Sequence, residues 1–282
     1  MVDFAIKTAP QHARWADMLD VWRAADEIDV FAEAWNFDHF YPLAPPADGS
    51  CLEGWTTLTA LTQATKRIRV GCMVNGMHYR HPAVTANMAA SLDIISGGRF
   101  NLGLGAGWFE PESEAYGIEL GTLKERMDRF DEGVEVIVSL LSQDSTTFTG
   151  DYYELVDARC EPKPLQRPTP PIVIGGKGEK RTLRTVARFG DYWDSTFPES
   201  TAEWQRLNDV LLGHCEIVGR DPGEIRRSVH VRWPADADPS EVADQAVQFA
   251  AAGVDVAILG MQQPYDAGRL EPMANALRAA TS

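Results

Sequence analysis

Eight times along the 282-residue chain, a short apolar run is followed by a stretch whose apolar residues recur at helical spacing. Short runs of this kind read as strands buried on both faces, and the longer periodic stretches read as amphipathic helices. The first unit is Val2–Thr8 followed by Trp15, Met18, Leu19, Trp22, Ala25 and Ile28. The second opens on Val30–Asp38, with Leu58–Thr65 in its helix. The third opens on Ile68–Val74, with Val84, Met88, Leu92 and Ile95 behind it. Arg99–Gly105 begins the fourth, whose long helix carries Leu123, Met127, Phe130, Val134, Ile137 and Leu141 on one face.

The alternation then breaks. Thr146–Leu155 alternates like a hairpin with Gly150-Asp151 at its turn, and Pro162–Pro171 reads as an extended connector. The pattern resumes with "PIVIGG" and a helix from about Glu179 to Phe189, then "DYWDST" before Trp204, Leu207, Leu211 and Ile217. "SVHVRW" precedes Val242, Ala246, Val247 and Ala250, and Val254–Gly260 precedes Leu270, Met273 and Leu277. Eight strand-helix units in a chain of this length predict one (β/α)8 TIM barrel over residues 1–282, with an insertion between the fourth and fifth strands.

Composition narrows the function classes. A net charge of −15 argues against nucleic acid or an anionic membrane as partner, because both need a basic surface. Cys51, Cys72, Cys160 and Cys215 are scattered without metal-ligand spacing, so free thiols in the cytoplasm are expected and no metal site is. The segment "MVDFAIKTAP" does not read as a signal peptide, and no later apolar run is long enough to cross a bilayer.

In such a barrel the chemistry sits where strands end, on the C-terminal face. Asp38 and His39 fall at the end of the second strand, where a histidine can donate a hydrogen bond or exchange a proton. The third strand ends at Asn75-Gly76, with His78, Arg80 and His81 just beyond. The fifth delivers Gly175, Gly176, Lys177 and Gly178 ahead of a helix, an arrangement suited to phosphate: glycines admit it, and the helix start and lysine favour its charge. The fourth delivers Gly103, Gly105 and Gly107, which begin like a dinucleotide fingerprint. The match fails because Trp108 occupies the slot of the third fingerprint glycine and no apolar periodicity follows. The glycines are instead expected to let a flat ligand lie against the backbone.

Together, "DHF", "RIRVGCMVNGMHYRHPA", "SLDIISGGRFNLGLGAGWFEPESEAYG" and "PIVIGGKGEKRTLRTVARFGDYWD" resemble the bacterial luciferase-like superfamily, and more closely its coenzyme F420 (deazaflavin)-dependent oxidoreductases. The resemblance implies that His39 approaches the ring or the substrate as acid or base. It also implies a non-proline cis peptide at Met73-Val74 against one ring face, and Asn75 on the ring's polar edge. Gly105, Ala106 and Gly107 would lie along the cofactor, Gly175, Gly176, Lys177 and Gly178 would hold its phosphate, and Arg181 would meet its acidic tail. A homodimer through the early helices is implied as well.

One departure bears on the reaction. The glucose-6-phosphate dehydrogenases of this family carry a catalytic glutamate directly after the glycine motif, where this chain has Trp108, and a tryptophan where it has Leu43. That argues against sugar-phosphate oxidation, and Trp108 and Tyr41 suggest an apolar substrate pocket. The expected activity is hydride transfer between F420 and a small organic substrate. The alternatives are an FMN-dependent monooxygenase of the same superfamily and a non-catalytic deazaflavin-binding protein.

Overall fold

The computed structural model describes residues 2–282. Strand β1 (Asp3–Lys7) leads into α1 (Trp15–Glu27), and β2 (Phe31–Asn36) into α2 (Gly54–Ala64). Strand β3 (Arg69–Cys72), with a two-residue continuation β4 (Asn75–Gly76), leads into α3 (Pro82–Ser96). Strand β5 (Phe100–Gly105) is followed by a short α4 (Glu110–Tyr116) and the long α5 (Leu123–Ser142). The antiparallel pair β6 (Thr146–Thr149) and β7 (Glu154–Ala158) is the inserted hairpin. Alternation resumes with β8 (Ile172–Gly175), α6 (Thr182–Phe189), β9 (Tyr192–Asp194) and α7 (Thr201–Val218). It ends with β10 (Arg226–Trp233), α8 (Pro239–Ala251), β11 (Val256–Met261) and α9 (Leu270–Thr281).

The strands pair in parallel in the order β3-β2-β1-β11-β10-β9-β8-β5, and β3 pairs with β5 through Val70↔Phe100 and Gly71↔Asn101. The ring is therefore closed, as the eightfold alternation predicts. Closure leaves no barrel edge to protect. Two apolar layers result from the period-2 pleat of the strands. Phe4 and Ile6 of β1 face outward into the large core shared with the helices, whereas Ala5 points into the barrel with Trp35, Met73, Val173, Tyr192, Val256 and Ile258. None of the helices is long and apolar enough to cross a membrane among the described residues.

Differences from the sequence reading lie at element boundaries. Helix α6 begins at Thr182 rather than Glu179, and β2 stops at Asn36, which leaves Asp38 and His39 in the loop beyond. Helix α4 has no counterpart in the sequence reading, because a seven-residue helix shows no apolar period. Its signals are local: a proline in the first turn, acidic residues there, and Gly117 in the left-handed conformation at its C-cap.

Gly71 of β3 shows how tightly the barrel interior is filled. A Cβ on it would lie 2.3 Å from the ring of Trp35, with the carbonyl of Asn101 at 2.8 Å. Forcing a methyl group into such a site costs about 1–3 kcal/mol. Gly71→Ala is therefore expected to lower the unfolding free energy by about that amount. An unchanged denaturant midpoint would contradict this packing.

Candidate active site

A cavity of about 510 Å³ opens at the C-terminal end of the barrel, in the size range of small-molecule sites. His39, Met73, Val74, Gly105, Ala106, Gly107, Trp108, Gly175 and Gly176 all line it, so strand ends distant in sequence converge on one space. Its lining is predominantly apolar, with Phe37, Leu43, Leu123, Met127 and Phe130 among the contributors.

His39 is fixed by Glu112, from the helix that sequence reading missed. The Glu112 carboxylate is buried and accepts from four donors. His39 Nδ1 lies 2.6 Å from Oε1, and the Tyr79 hydroxyl donates to the same oxygen. The backbone N–H groups of Phe40 and Tyr41 donate to Oε2 at 2.8 and 3.2 Å. An acceptor on Nδ1 keeps the ring proton there and leaves Nε2 for the cavity. The rings of Trp108 and Phe109 each stand edge-on to His39 at 5.8 Å.

The neighbouring Asp38 is buried too and takes both arms of Arg80, at 2.6 and 2.9 Å. Burial pushes its carboxyl above the ordinary carboxylate range, against the pull of Arg80. Arg80 also reaches Glu53 at 3.0 Å, which caps α2 by accepting from the N–H groups of Trp55 and Thr56. This network pins the loop that carries His39.

The peptide between Met73 and Val74 is cis, as the resemblance implies, and interrupts β3 before β4. Val74 lines the barrel mouth, and Gly105 and Gly175 make room for its side chain. A Cβ on Gly105 would meet Val74 at 2.6 Å and one on Gly175 at 2.9 Å, whereas one on Gly103 would first run into the backbone carbonyl of Cys72. The close approach expected at these glycines is thus made in large part by a protein side chain. Gly107, at φ +87°, is likewise crowded by His78, whose ring would lie 2.2 Å from an added Cβ.

The other sequence candidates, Gly176 apart, sit elsewhere. Asn75 is buried and donates from Nδ2 to the Gly103 carbonyl at 2.6 Å, turned toward β5 and not among the lining residues. Tyr41 contributes its backbone to Glu112 while its ring packs edge-on against Tyr116. Lys177 pairs with Glu203 at 3.0 Å and Arg181 with Asp128 and Asp131, both at 2.7 Å. Gly176, at φ +131°, lines the cavity, while Gly178 packs on Thr182. The space and lining fit a tricyclic ring. For its phosphate, the β8–α6 turn offers glycine backbone, with Lys177 and Arg181 already paired to carboxylates.

A second polar cluster, which sequence reading did not single out, lines the same cavity. Lys7 at the end of β1 donates to the Met73 carbonyl at 3.1 Å. His230 Nε2 lies 2.9 Å from Met73 Sδ and 3.4 Å from Asp194 Oδ1, and Ser228 donates to that oxygen at 3.0 Å. Burial pushes the Asp194 carboxyl up to about 6 against the attraction of Lys7. It pushes the Lys7 ammonium down, against the pull of Asp194, and holds His230 neutral, well below its ordinary range. The three residues come from strands β1, β9 and β10, which only the closed barrel brings together.

A closed parallel barrel with one apolar cavity at its C-terminal face, flanked by a carboxylate-held histidine, is the architecture of a small-molecule enzyme. The chain belongs to the luciferase-like monooxygenase family, whose sequence profile matches residues 2–281. It is 31% identical over 240 residues to the F420-dependent glucose-6-phosphate dehydrogenase of Amycolatopsis mediterranei, across 84% of this chain and 71% of that protein. It is 27% identical over 253 residues to the 4-hydroxyprotoasukamycin monooxygenase of Streptomyces nodosus subsp. asukaensis, across 82% of this chain. That alignment spans 64% of the monooxygenase, so the chain spans under two thirds of this relative's length. Its fold matches an F420-dependent secondary alcohol dehydrogenase in complex with an F420-acetone adduct, with a TM-score of 0.89 at 19% identity over 99% of both chains.

His78, packed against Tyr79 and beside the cavity, gives the site a pH dependence of known sign. Burial lowers its pKa from 6.5 to about 4, so the folded chain binds this proton less readily than the unfolded chain. Its neutral form is compatible with full stability above about 6.5, and stability drains away as the pH falls toward 4. His78→Gln is expected to lose less unfolding free energy than the wild type across that window. Parallel stability-versus-pH curves would contradict a neutral, desolvated His78.

Proposed function

We propose that this oxidoreductase is coenzyme F420-dependent and moves a hydride between the deazaflavin and a small, uncharged organic substrate. The observation that carries the reading is the shared cavity: His39, held by Glu112, stands over a space walled by Val74, Ala106 and the strand-end glycines. When bound, the ring supplies the carbon that accepts or gives the hydride. His39 Nε2 takes or gives the accompanying proton at the substrate oxygen, and Glu112 stabilises the imidazolium that results. Trp108, Leu43 and Leu123 close the mouth with apolar surface and limit water. That rim favours an apolar substrate, and the absence of the glutamate expected after the glycine motif argues against a sugar phosphate. The 31% identity to an F420-dependent dehydrogenase supports the cofactor.

A second reading, an FMN-dependent monooxygenase, has support from the FMNH(2)-dependent dimethylsulfone monooxygenase of Pseudomonas putida, 30% identical over 203 residues. Deazaflavin lacks the ring nitrogen that lets reduced flavin react with oxygen, so oxygen uptake separates the two. Titration with each cofactor is expected to show F420 binding more tightly than FMN, with turnover of ketones or secondary alcohols and no oxygen uptake. His39→Ala is expected to lower kcat by about a hundred- to ten-thousand-fold while leaving cofactor affinity within a few-fold. Preferential FMN binding with substrate-dependent oxygen uptake would overturn the F420 assignment, and binding of neither cofactor would overturn both.

A further inference from the structure

The cavity has two polar poles. His39 and Glu112 form one. Lys7, Asp194 and His230 form the other, and no hydrogen-bond partner of Lys7 is shared with His39. Lys7 is the only lysine or arginine that lines the cavity among the described residues. An ammonium has three donors, and the single hydrogen bond it makes here is to the Met73 carbonyl, itself part of the cis peptide at the cavity wall. Beside it, the His230 ring is buried, its Nδ1 is buried without a partner, and the residue also lines the cavity. An enclosed cation is stable only when paired or hydrogen-bonded, and spare donors beside a ligand-sized space call for an electron-rich group in that space.

Charge balance indicates which group. A hydride carries one negative charge with it, so a ring that receives one becomes more negative by one unit unless a proton follows. We propose that Lys7 holds this charge: its ammonium faces the electron-rich carbonyl and nitrogen edge of a bound flavin or deazaflavin ring and binds the reduced form more strongly than the oxidised form. This rests on the reading that such a ring occupies this cavity. Asp194 moderates the effect, since its carboxylate offsets part of the positive field, and Ser228 holds it in place. The role expected of Asn75 on the ring's polar edge passes to Lys7, because Asn75 is turned toward the Gly103 carbonyl.

The test is anaerobic equilibrium binding of oxidised and reduced F420, and of oxidised and reduced FMN, to the full-length wild type and to Lys7→Met, Lys7→Arg and Asp194→Asn. No substrate is added. For the cofactor that binds, Lys7→Met is expected to weaken the reduced form at least tenfold more than the oxidised form. For a two-electron couple, a tenfold difference lowers the potential of the bound cofactor by about 30 mV. Lys7→Arg is expected to restore most of the preference, and Asp194→Asn to shift it in the opposite direction, toward tighter binding of the reduced form. Should Lys7→Met not fold, the sign of the Asp194→Asn shift decides. An unchanged ratio of the two affinities in the folded variants would overturn the proposal. Wild-type protein that binds neither cofactor would instead overturn the functional reading on which the proposal rests.

Discussion

The carboxylate of Glu112 is the interaction on which the site depends. A buried carboxylate is tolerated only if donors replace the water it has lost, and here two stretches of chain supply them to a third. The loop after β2 contributes the His39 ring and two backbone N–H groups, the segment after β4 contributes Tyr79, and α4 contributes the glutamate itself. One side chain therefore sets the orientation of His39, the path of the loop behind it and the seat of α4. Asp38 repeats the arrangement one residue away with Arg80. The two carboxylates are kept apart by having separate sets of donors, so one stabilises the loop and the other positions the histidine.

Between the polar poles the wall is largely apolar, and Val74 forms part of it. The chain reverses the usual relation between glycine and ligand here: Gly105 and Gly175 are small because the Val74 side chain must fit over them, and Gly103 because the Cys72 carbonyl of the neighbouring strand lies against it. A ligand then meets Val74 rather than bare backbone along this part of the wall. With little polar surface lining the space, His39 and Lys7 act in a medium where charges are weakly screened, which raises the effect of each on bound atoms.

The sequence makes the barrel legible because the strand-helix alternation is dictated by burial on both faces of each strand, and closure then follows from the count. His39 and the β8 turn are legible for the same reason, as strand ends on the C-terminal face. What is hidden depends on tertiary contact. Glu112 lies on a helix too short for periodicity, although Pro111 and Gly117 mark its ends. The partner of Lys177 is Glu203, 26 positions away, so its engagement cannot be read locally. Lys7, Asp194 and His230 sit on three strands, and nothing in their immediate sequence marks them as a cluster. The glycine motif is legible as a place of close approach, but the identity of what approaches it is a property of the folded chain.

Glu112 fixes the proton of His39 on Nδ1 and leaves Nε2 for substrate. Long-range proton–nitrogen correlation NMR of the His39 ring, recorded where the ring is neutral, reads that directly. The structure predicts a protonated Nδ1 and an unprotonated Nε2 in the wild type, with the two tautomers mixing in Glu112→Gln. A proton on Nε2 in the wild-type protein, unaffected by Glu112→Gln, would contradict the account.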